Sequence, residues 1–347
     1  MTKMYKGVNI MPELEVKDLW VDFHTPAGVL QAVRGISFCL KPGRTLALVG
    51  ESGSGKSVTG RAILGLLAAS ASARGQILYD GRDLLTLSDD QMCPIRGRRI
   101  AMVFQDPMSS LNPIVRTGRQ ITEVIPLPRK QAKQKALRLL QEVGIRDPER
   151  CFAQYPFELS GGMRQRIVIA IALASDPEIL ICDEPTTALD VTIQAQILEL
   201  LHTLQRQRKL SLLFITHDFG VVANVADEIA VMYAGKIVEQ GKAEEVFYDP
   251  RHPYTWALLS AMPDLRTQGR LYAIGGTPPN MICPPKGDAF ALRNRQALRI
   301  DHHRQPPPFF VSDTHWAATW LLHPSAPKVE MPPILAQRLQ KGDKYGS

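Results

Sequence analysis

Apolar positions along this chain recur with two periods, and the switch between them divides it into elements. Leu14, Val16, Leu19 and Val21 are apolar with charged residues between most of them, which predicts a strand over Leu14–Phe23. Thr25-Pro26-Ala27-Gly28 is a turn signal, and Val29, Ala32, Val33, Ile36 and Phe38 carry further strand over Val29–Leu40. Lys41-Pro42-Gly43 turns the chain into a buried strand at Arg44–Val49, and a helix-compatible run follows at Val58–Leu67. Gly75–Gly81 has the look of a short hairpin edge. Ile100–Phe104 is apolar enough for a buried strand and stops at Gln105-Asp106-Pro107, where proline forbids continuation.

From Met108 to Phe157 the texture is helical, broken at Pro126-Leu127-Pro128. Ala132, Ala136, Leu139, Leu140 and Val143 fall at i, i+3/i+4 spacing and predict an amphipathic helix over Lys130–Val143. A long apolar helix opens after Ser160 and runs through Ala174. Strand Glu178–Cys182, helix Val191–Arg208, strand Leu210–Thr216 and a hairpin of Ile229–Met232 with Lys236–Glu239 complete the pattern. Buried strands alternating with helices mean an α/β fold whose sheet is covered on both faces. Beyond Pro250 prolines multiply and basic residues cluster at Arg293–Arg304, which places a boundary near Gly241–Pro250.

One loop in this framework carries chemistry. Gly50-Glu51-Ser52-Gly53-Ser54-Gly55-Lys56-Ser57 joins a strand to a helix and fits the phosphate-loop pattern without a mismatch. Glycines let backbone N–H groups curl around an anion, and the following helix adds its positive end. Lys56 is suited to β- and γ-phosphates, and the Ser57 hydroxyl to Mg²⁺. Hydrolysis also needs a metal carboxylate, a base and a γ-phosphate sensor, and other strand ends offer one each. Asp183 follows Ile179-Leu180-Ile181-Cys182 and can hold Mg²⁺; Glu184 comes next and can act as general base. Gln105 can bind Mg²⁺ or water, and His217 can donate to the γ-phosphate. Ser160 is a good helix cap, and Gly161 and Gly162 bare N–H groups behind it, making a second anion site.

Composition narrows the classes. The 347 residues are 45% hydrophobic and 22% charged, ordinary for a soluble globular protein. The longest apolar run, Ile167–Ala174, is far short of the ~20 residues that span a bilayer, and Met1–Pro12 lacks a secretory core. The expected place is the cytoplasm unless a partner holds the chain at a membrane. Five scattered cysteines with no Cys-x-x-Cys pair argue against disulfides or zinc. The net charge of +7 reads best as a solvated basic surface, as do Lys130, Lys133, Lys135 and Arg138 on their helix.

Leu159-Ser160-Gly161-Gly162-Met163 suggests the family. With the phosphate loop it makes the chain resemble the ATP-binding subunit of ABC transporters. The resemblance implies a P-loop NTPase cassette: a RecA-like α/β core, an antiparallel β subdomain, an α-helical signature subdomain, and a small irregular C-terminal extension. In it Gly50–Ser57 stands as Walker A, Gln105 as the Q-loop, Leu159–Met163 as the signature, Ile179–Glu184 as Walker B, Ala188-Leu189-Asp190 as the D-loop and His217 as the switch histidine. Phe23 stands where the family stacks an aromatic on adenine. The family also implies a head-to-tail dimer, each ATP lying between one phosphate loop and the partner's signature.

A narrower likeness lies in Phe104–Pro113, Tyr155–Ser160 and Arg251–Thr255, which look like the oligopeptide/dipeptide importer ATPases; that subgroup also takes up nickel and opines. It implies domains at 1–12 (extension), 13–250 (cassette, helical part about 108–165), 251–330 (extension of the oligopeptide type) and 331–347 (tail). It implies two permease subunits, a second ATPase subunit that is a paralogue, a periplasmic binding protein, and a peripheral place on the cytoplasmic side of the inner membrane. Asn112-Pro113 and Met108–Phe157 would meet the permease. The chain departs from the subgroup where four cysteines suit an iron–sulfur cluster: Asp288, Asn294, Asp301 and Thr319 occupy those positions. Oxygen donors do not replace thiolates there, so no cluster is expected, and a hard-cation site of Asp288, Asp301 and His302 or His303 is a minor alternative. The rival readings are an ABC ATPase acting on nucleic acid or ribosomes and a binding-only regulatory subunit. The first lacks a second cassette or zinc insertion; the second is disfavoured by Lys56, Asp183, Glu184 and His217 together.

Overall fold

A computed structural model describes residues 13–187, 189–262, 274–333 and 335–336. The expected extension 1–12, most of the tail 331–347 and Ala188 lie outside the described residues. Strands β1 (Leu14–Thr25) and β2 (Gly28–Leu40) lead to β3 (Thr45–Val49), all five residues of which are buried. Helix α1 (Lys56–Ile63) follows, then β4 (Ala71–Tyr79), β5 (Arg82–Asp83), α2 (Asp89–Met92) and β6 (Ile100–Val103). Helices α3 (Pro107–Ser110), α4 (Thr117–Glu123), α5 (Arg129–Glu142), α6 (Pro148–Ala153) and α7 (Gly161–Leu173) come next. They are followed by β7 (Ile179–Asp183), α8 (Val191–Arg208), β8 (Ser211–Thr216), α9 (Phe219–Val222), β9 (Glu228–Tyr233) and β10 (Lys236–Lys242). Helices α10 (Ala243–Tyr248) and α11 (Pro253–Ala261) and strands β11 (Phe309–Phe310) and β12 (Trp316–Ala317) close the chain.

The chain divides into two compact units. Among the described residues the first comprises Glu13–Glu15, Cys39–Arg44 and Ile77–Leu213; the second, Val16–Phe38, Thr45–Gln76 and the residues from Phe214 onward. In the first unit β6 and β7 pair in parallel, Ile100 opposite Ile179 and Val103 opposite Cys182. Both strands are wholly buried, as continuous apolar runs require. The start of β8 joins β7 where the Ser211 N–H donates to Glu178 O at 3.0 Å. Helix α5 buries the Ala132, Ala136, Leu139 and Leu140 face that its spacing predicts, and packs on α4, α6 and α7. Helix α7 is buried along most of its length, matching its nearly unbroken apolar run.

In the second unit the neighbour order is β11-β12-β10-β9-β3. Strands β3 and β9 are parallel, with Val49 opposite Val231, while β9 and β10 form an antiparallel hairpin. Its turn, Ala234-Gly235, has φ values of 45° and 80°, the left-handed pair that matches strand twist. Strands β2, β1 and β4 lie side by side. The sequence reading placed a hairpin edge at Gly75–Gly81; the strand begins earlier, at Ala71, because its first half has little apolar patterning.

The composition changes at Pro250, but apolar packing continues through it. Val246, Phe247, Tyr254, Trp256, Leu259 and Phe290 share one buried cluster with Val49, Ile229 and Val231. Phe290 is 2% exposed, a burial that stabilises by about 2–3 kcal/mol. Helix α11 went unpredicted because Pro250 and Pro253 read as breakers. Pro253 in fact sits in its first turn, where a missing N–H costs nothing, and His252 Nδ1 caps the Tyr254 N–H at 3.0 Å.

Candidate nucleotide site

Strand β3 ends at Val49, and the loop Gly50–Ser57 follows in the second unit. A Cβ on Gly50 would lie 2.0 Å from the Met232 carbonyl oxygen, so only glycine fits. Gly55 caps α1 at φ 103° and has no side chain to occupy the helix's first N–H groups. Lys56 is buried, and its Nζ donates to the carbonyls of Gly50 at 2.7 Å and Glu51 at 2.9 Å and to Ser54 Oγ at 3.4 Å. The ammonium is thus held inside the curl of its own loop.

Distant segments of the same unit brace that loop. The Gly235 N–H donates to Ser54 O at 3.0 Å. The Glu51 N–H donates to the Tyr254 hydroxyl at 2.8 Å, across 203 residues. Arg293 forms a two-pronged pair with the Glu51 carboxylate, 2.7 Å and 3.0 Å, across 242 residues. Sequence reasoning missed Tyr254, Gly235 and Arg293 as parts of this loop's surroundings, since no local signal marks contacts so far apart. Phe23 lies half-buried in β1, and His217 is exposed after β8, just before Asp218 caps α9 by accepting from the Gly220 N–H at 2.8 Å.

The first unit holds a second constellation. Because β6 and β7 pair in register, their ends emerge side by side. Gln105 Nε2 donates to Glu184 Oε2 at 3.1 Å, and the Thr187 hydroxyl donates to the same oxygen at 2.9 Å. Glu184 adopts φ 47°, a left-handed conformation that costs a non-glycine residue about 1–2 kcal/mol and recurs at functional sites. Asp183 is 1% exposed at the end of β7. Ser160 caps α7 by accepting from the Met163 N–H at 3.4 Å, with Gly161 and Gly162 in the first turn. Asp190 caps α8 by accepting from the Ile193 N–H at 3.0 Å. Of the expected D-loop, Ala188 lies outside the described residues.

Residues 33–187 match the ABC transporter family, and residues 238–300 match the oligopeptide/dipeptide transporter C-terminal region. The oligopeptide transport ATP-binding protein OppD of Bacillus subtilis (strain 168) is 57% identical over 336 residues, which cover 94% of each chain. This chain belongs to the oligopeptide/dipeptide family of ABC transporter ATP-binding proteins. The dipeptide transport ATP-binding protein DppD of Lactococcus lactis subsp. cremoris (strain MG1363) is 54% identical over 95% of this chain and 98% of its own. Among solved structures, the dimeric bacterial ABC transporter cassette MJ0796 aligns with a TM-score of 0.60 at 26% identity, covering 66% of this chain and 98% of that one. CbiO1 from Clostridium perfringens, part of a cbiONQ transporter complex, aligns at 0.59 and 29%, over 68% and 90%. As a family member the chain is an ABC-type ATPase that works in a transporter complex with membrane partners. The nucleic-acid reading finds no counterpart among these relatives.

The four C-terminal positions Asp288, Asn294, Asp301 and Thr319 have local structural roles. Asp288, Asn294 and Thr319 accept from the N–H groups of Phe290, Gln296 and Leu321, each two residues on, and Asp301 accepts from the Leu298 N–H. Among the described residues no group of three or more His, Cys, Asp or Glu side chains is placed to hold a metal ion. That corrects the cation site considered for Asp288, Asp301 and His302 or His303: both carboxylates are turned onto backbone donors instead.

Proposed function

We propose that this chain hydrolyses ATP to drive peptide uptake by an ABC importer. The observation that carries the enzymatic part is Glu184, strained at a strand end and held by Gln105 and Thr187. In this reading the N–H groups of Gly50–Ser57 and the Lys56 ammonium take the phosphates, and Phe23 stacks on the adenine. Asp183, the Ser57 hydroxyl and the Gln105 amide oxygen are hard oxygen donors of the kind that suits Mg²⁺. When bound, the ion would offset charge on the phosphate oxygens. Glu184 takes the proton of the attacking water, and His217 donates to the γ-phosphate. Ser160, Gly161, Gly162 and Asp190 serve the ATP of a second subunit, a paralogue of this chain.

The peptide substrate rests on the names of the relatives and on the match of residues 238–300. Among the described residues no helix is long and apolar enough to cross a membrane. We place the chain peripherally, at the cytoplasmic side of the inner membrane, beneath two permease subunits fed by a periplasmic binding protein. Met108, Ile114 and Phe157 are apolar and exposed on or beside the α3–α7 segment, and offer a face for the permease. The division at 13–250 and 251–330 belongs to the same proposal. The test is Glu184→Gln: it should bind ATP, accumulate as a closed dimer, and lose turnover by about a hundredfold or more. Hydrolysis at the parent rate would overturn the mechanism. Stimulation of the assembled transporter by a nickel-loaded but not a peptide-loaded binding protein would overturn the substrate.

A further inference from the structure

A phosphate-binding loop has little use for a carboxylate, yet Glu51 places one inside it. Like charges repel, and a triphosphate arriving at the Gly50–Ser57 amides would meet an anion on the same loop. The structure answers that charge with Arg293 of the C-terminal extension. Its side chain is 6% exposed, and NH1 and NH2 grip the two Glu51 oxygens at 2.7 Å and 3.0 Å. Two further donors are used as well: Nε donates to Gly275 O at 2.9 Å, and NH1 also reaches the Tyr233 hydroxyl at 3.2 Å. Burial works against the guanidinium charge, but Glu51 and Tyr233 outweigh it and hold the group firmly protonated.

Glu51 is also the point at which the extension touches Lys56. Its N–H is taken by Tyr254 and its carbonyl accepts from Lys56 Nζ. Tyr254 in turn packs on Tyr233 with ring centroids 4.6 Å apart, and on Phe290 at 5.3 Å. Without the arginine, the nearest cation on the loop for the freed carboxylate is the Lys56 ammonium, the group the phosphates need.

We propose that Arg293 is a positioning residue for the ATP site: it neutralises Glu51 and holds the acidic loop in the form that receives a triphosphate. The ATPase would then depend on its C-terminal extension for nucleotide affinity. This rests on Gly50–Ser57 being the ATP phosphate loop.

The experiment is equilibrium binding of MgATP to the full-length chain. Arg293→Ala should weaken binding about tenfold, the size of one charge-assisted pair. The decisive arm is the double variant Arg293→Ala/Glu51→Gln. Once the carboxylate is gone the arginine has nothing to neutralise, so its loss should change affinity less than about twofold relative to Glu51→Gln alone. A packing role would give the same loss in both backgrounds, and that result, or unchanged affinity in Arg293→Ala, overturns the proposal. If Arg293→Ala does not fold, Arg293→Gln takes its place with the same two outcomes. Lys56→Ala separates the levels: if it binds MgATP like the parent, the reading of the loop itself fails. If it loses binding while Arg293→Ala keeps it, only the role of Arg293 fails.

Discussion

Glu239 is a carboxylate with no exposed surface, and three segments depend on it. It lies on β10 just past an irregularity at Val238, where the register with β9 slips between Ile237 and Glu239 and the strand's alternation breaks. Its Oε1 accepts from the Arg251 N–H at 2.6 Å and pairs with His315 Nε2 at 2.8 Å; Oε2 accepts from the His252 N–H at 3.0 Å. His252 starts α11, and His315 precedes β12, so one side chain fastens the extension to the hairpin. Replacing it with alanine strands two backbone donors and a buried histidine. Each buried donor left unpaired costs about 1–3 kcal/mol, and breaking a buried polar pair about 3–5 kcal/mol, so Glu239→Ala should lose roughly 3–5 kcal/mol. Glu239→Gln keeps the shape and one oxygen but turns an NH₂ toward an N–H; it should lose about 1–3 kcal/mol. Urea unfolding of both variants measures the loss, and amide hydrogen exchange should show protection falling first at Arg251 and His252. If Glu239→Ala unfolds within about 0.5 kcal/mol of the parent, the carboxylate does not organise this region and the reasoning fails.

Three further outcomes follow from the geometry. Burial, reinforced by Asp301 and opposed by the Phe290 N–H and Lys236, pushes the Asp288 carboxyl from 3.8 up to about 6. The folded chain therefore holds this proton more tightly than the unfolded one, so stability falls as pH rises from about 4 to about 6 and stays lower above; Asp288→Asn should stabilise by about 1–2 kcal/mol at pH 7.5 and little at pH 4.5, and an equal gain at both would contradict the assignment. Gly50→Ala puts a Cβ 2.0 Å from a backbone oxygen that cannot yield, and should weaken MgATP binding by at least about tenfold, read by equilibrium titration. The Ser160 cap bond is long at 3.4 Å, so Ser160→Ala should cost less than about 1 kcal/mol in unfolding. It should nonetheless prevent the ATP-dependent dimer of Glu184→Gln on size exclusion; a normal dimer would remove Ser160 from the second subunit's site.

Some of this was legible in the chain because its causes are local. Helix α8 spans Val191–Arg208 as its pattern predicts, and α5 lies within one residue of its predicted bounds. The loop Gly50–Ser57, the Ser160 cap and the strand ends at Gln105 and Asp183 were readable for the same reason. Each depends on glycines, capping side chains or apolar periods within a few residues. Helix α11 was hidden because proline's meaning depends on position: in a helix interior it breaks, in the first turn it starts. The two-residue strands β11 and β12 have no pattern of their own: β12 forms on the edge that β10 leaves, and β11 pairs in turn with β12.

By itself, then, the sequence determined a strand, the glycine-rich loop Gly50–Ser57 and the helix after it, and a serine-capped helix start at Ser160. It set the oxygen-bearing side chains Asp288, Asn294, Asp301 and Thr319 in the tail. Only the tertiary structure decided that Gln105 and Glu184 share a hydrogen bond, that Glu184 sits at a left-handed φ, and that the proline-rich tail closes on the loop through Tyr254 and Arg293. The physical reason is reach. Capping and periodicity act over one or two helical turns, whereas the bonds that hold Glu51 join residues more than two hundred positions apart, and form only once an apolar core has brought those segments together.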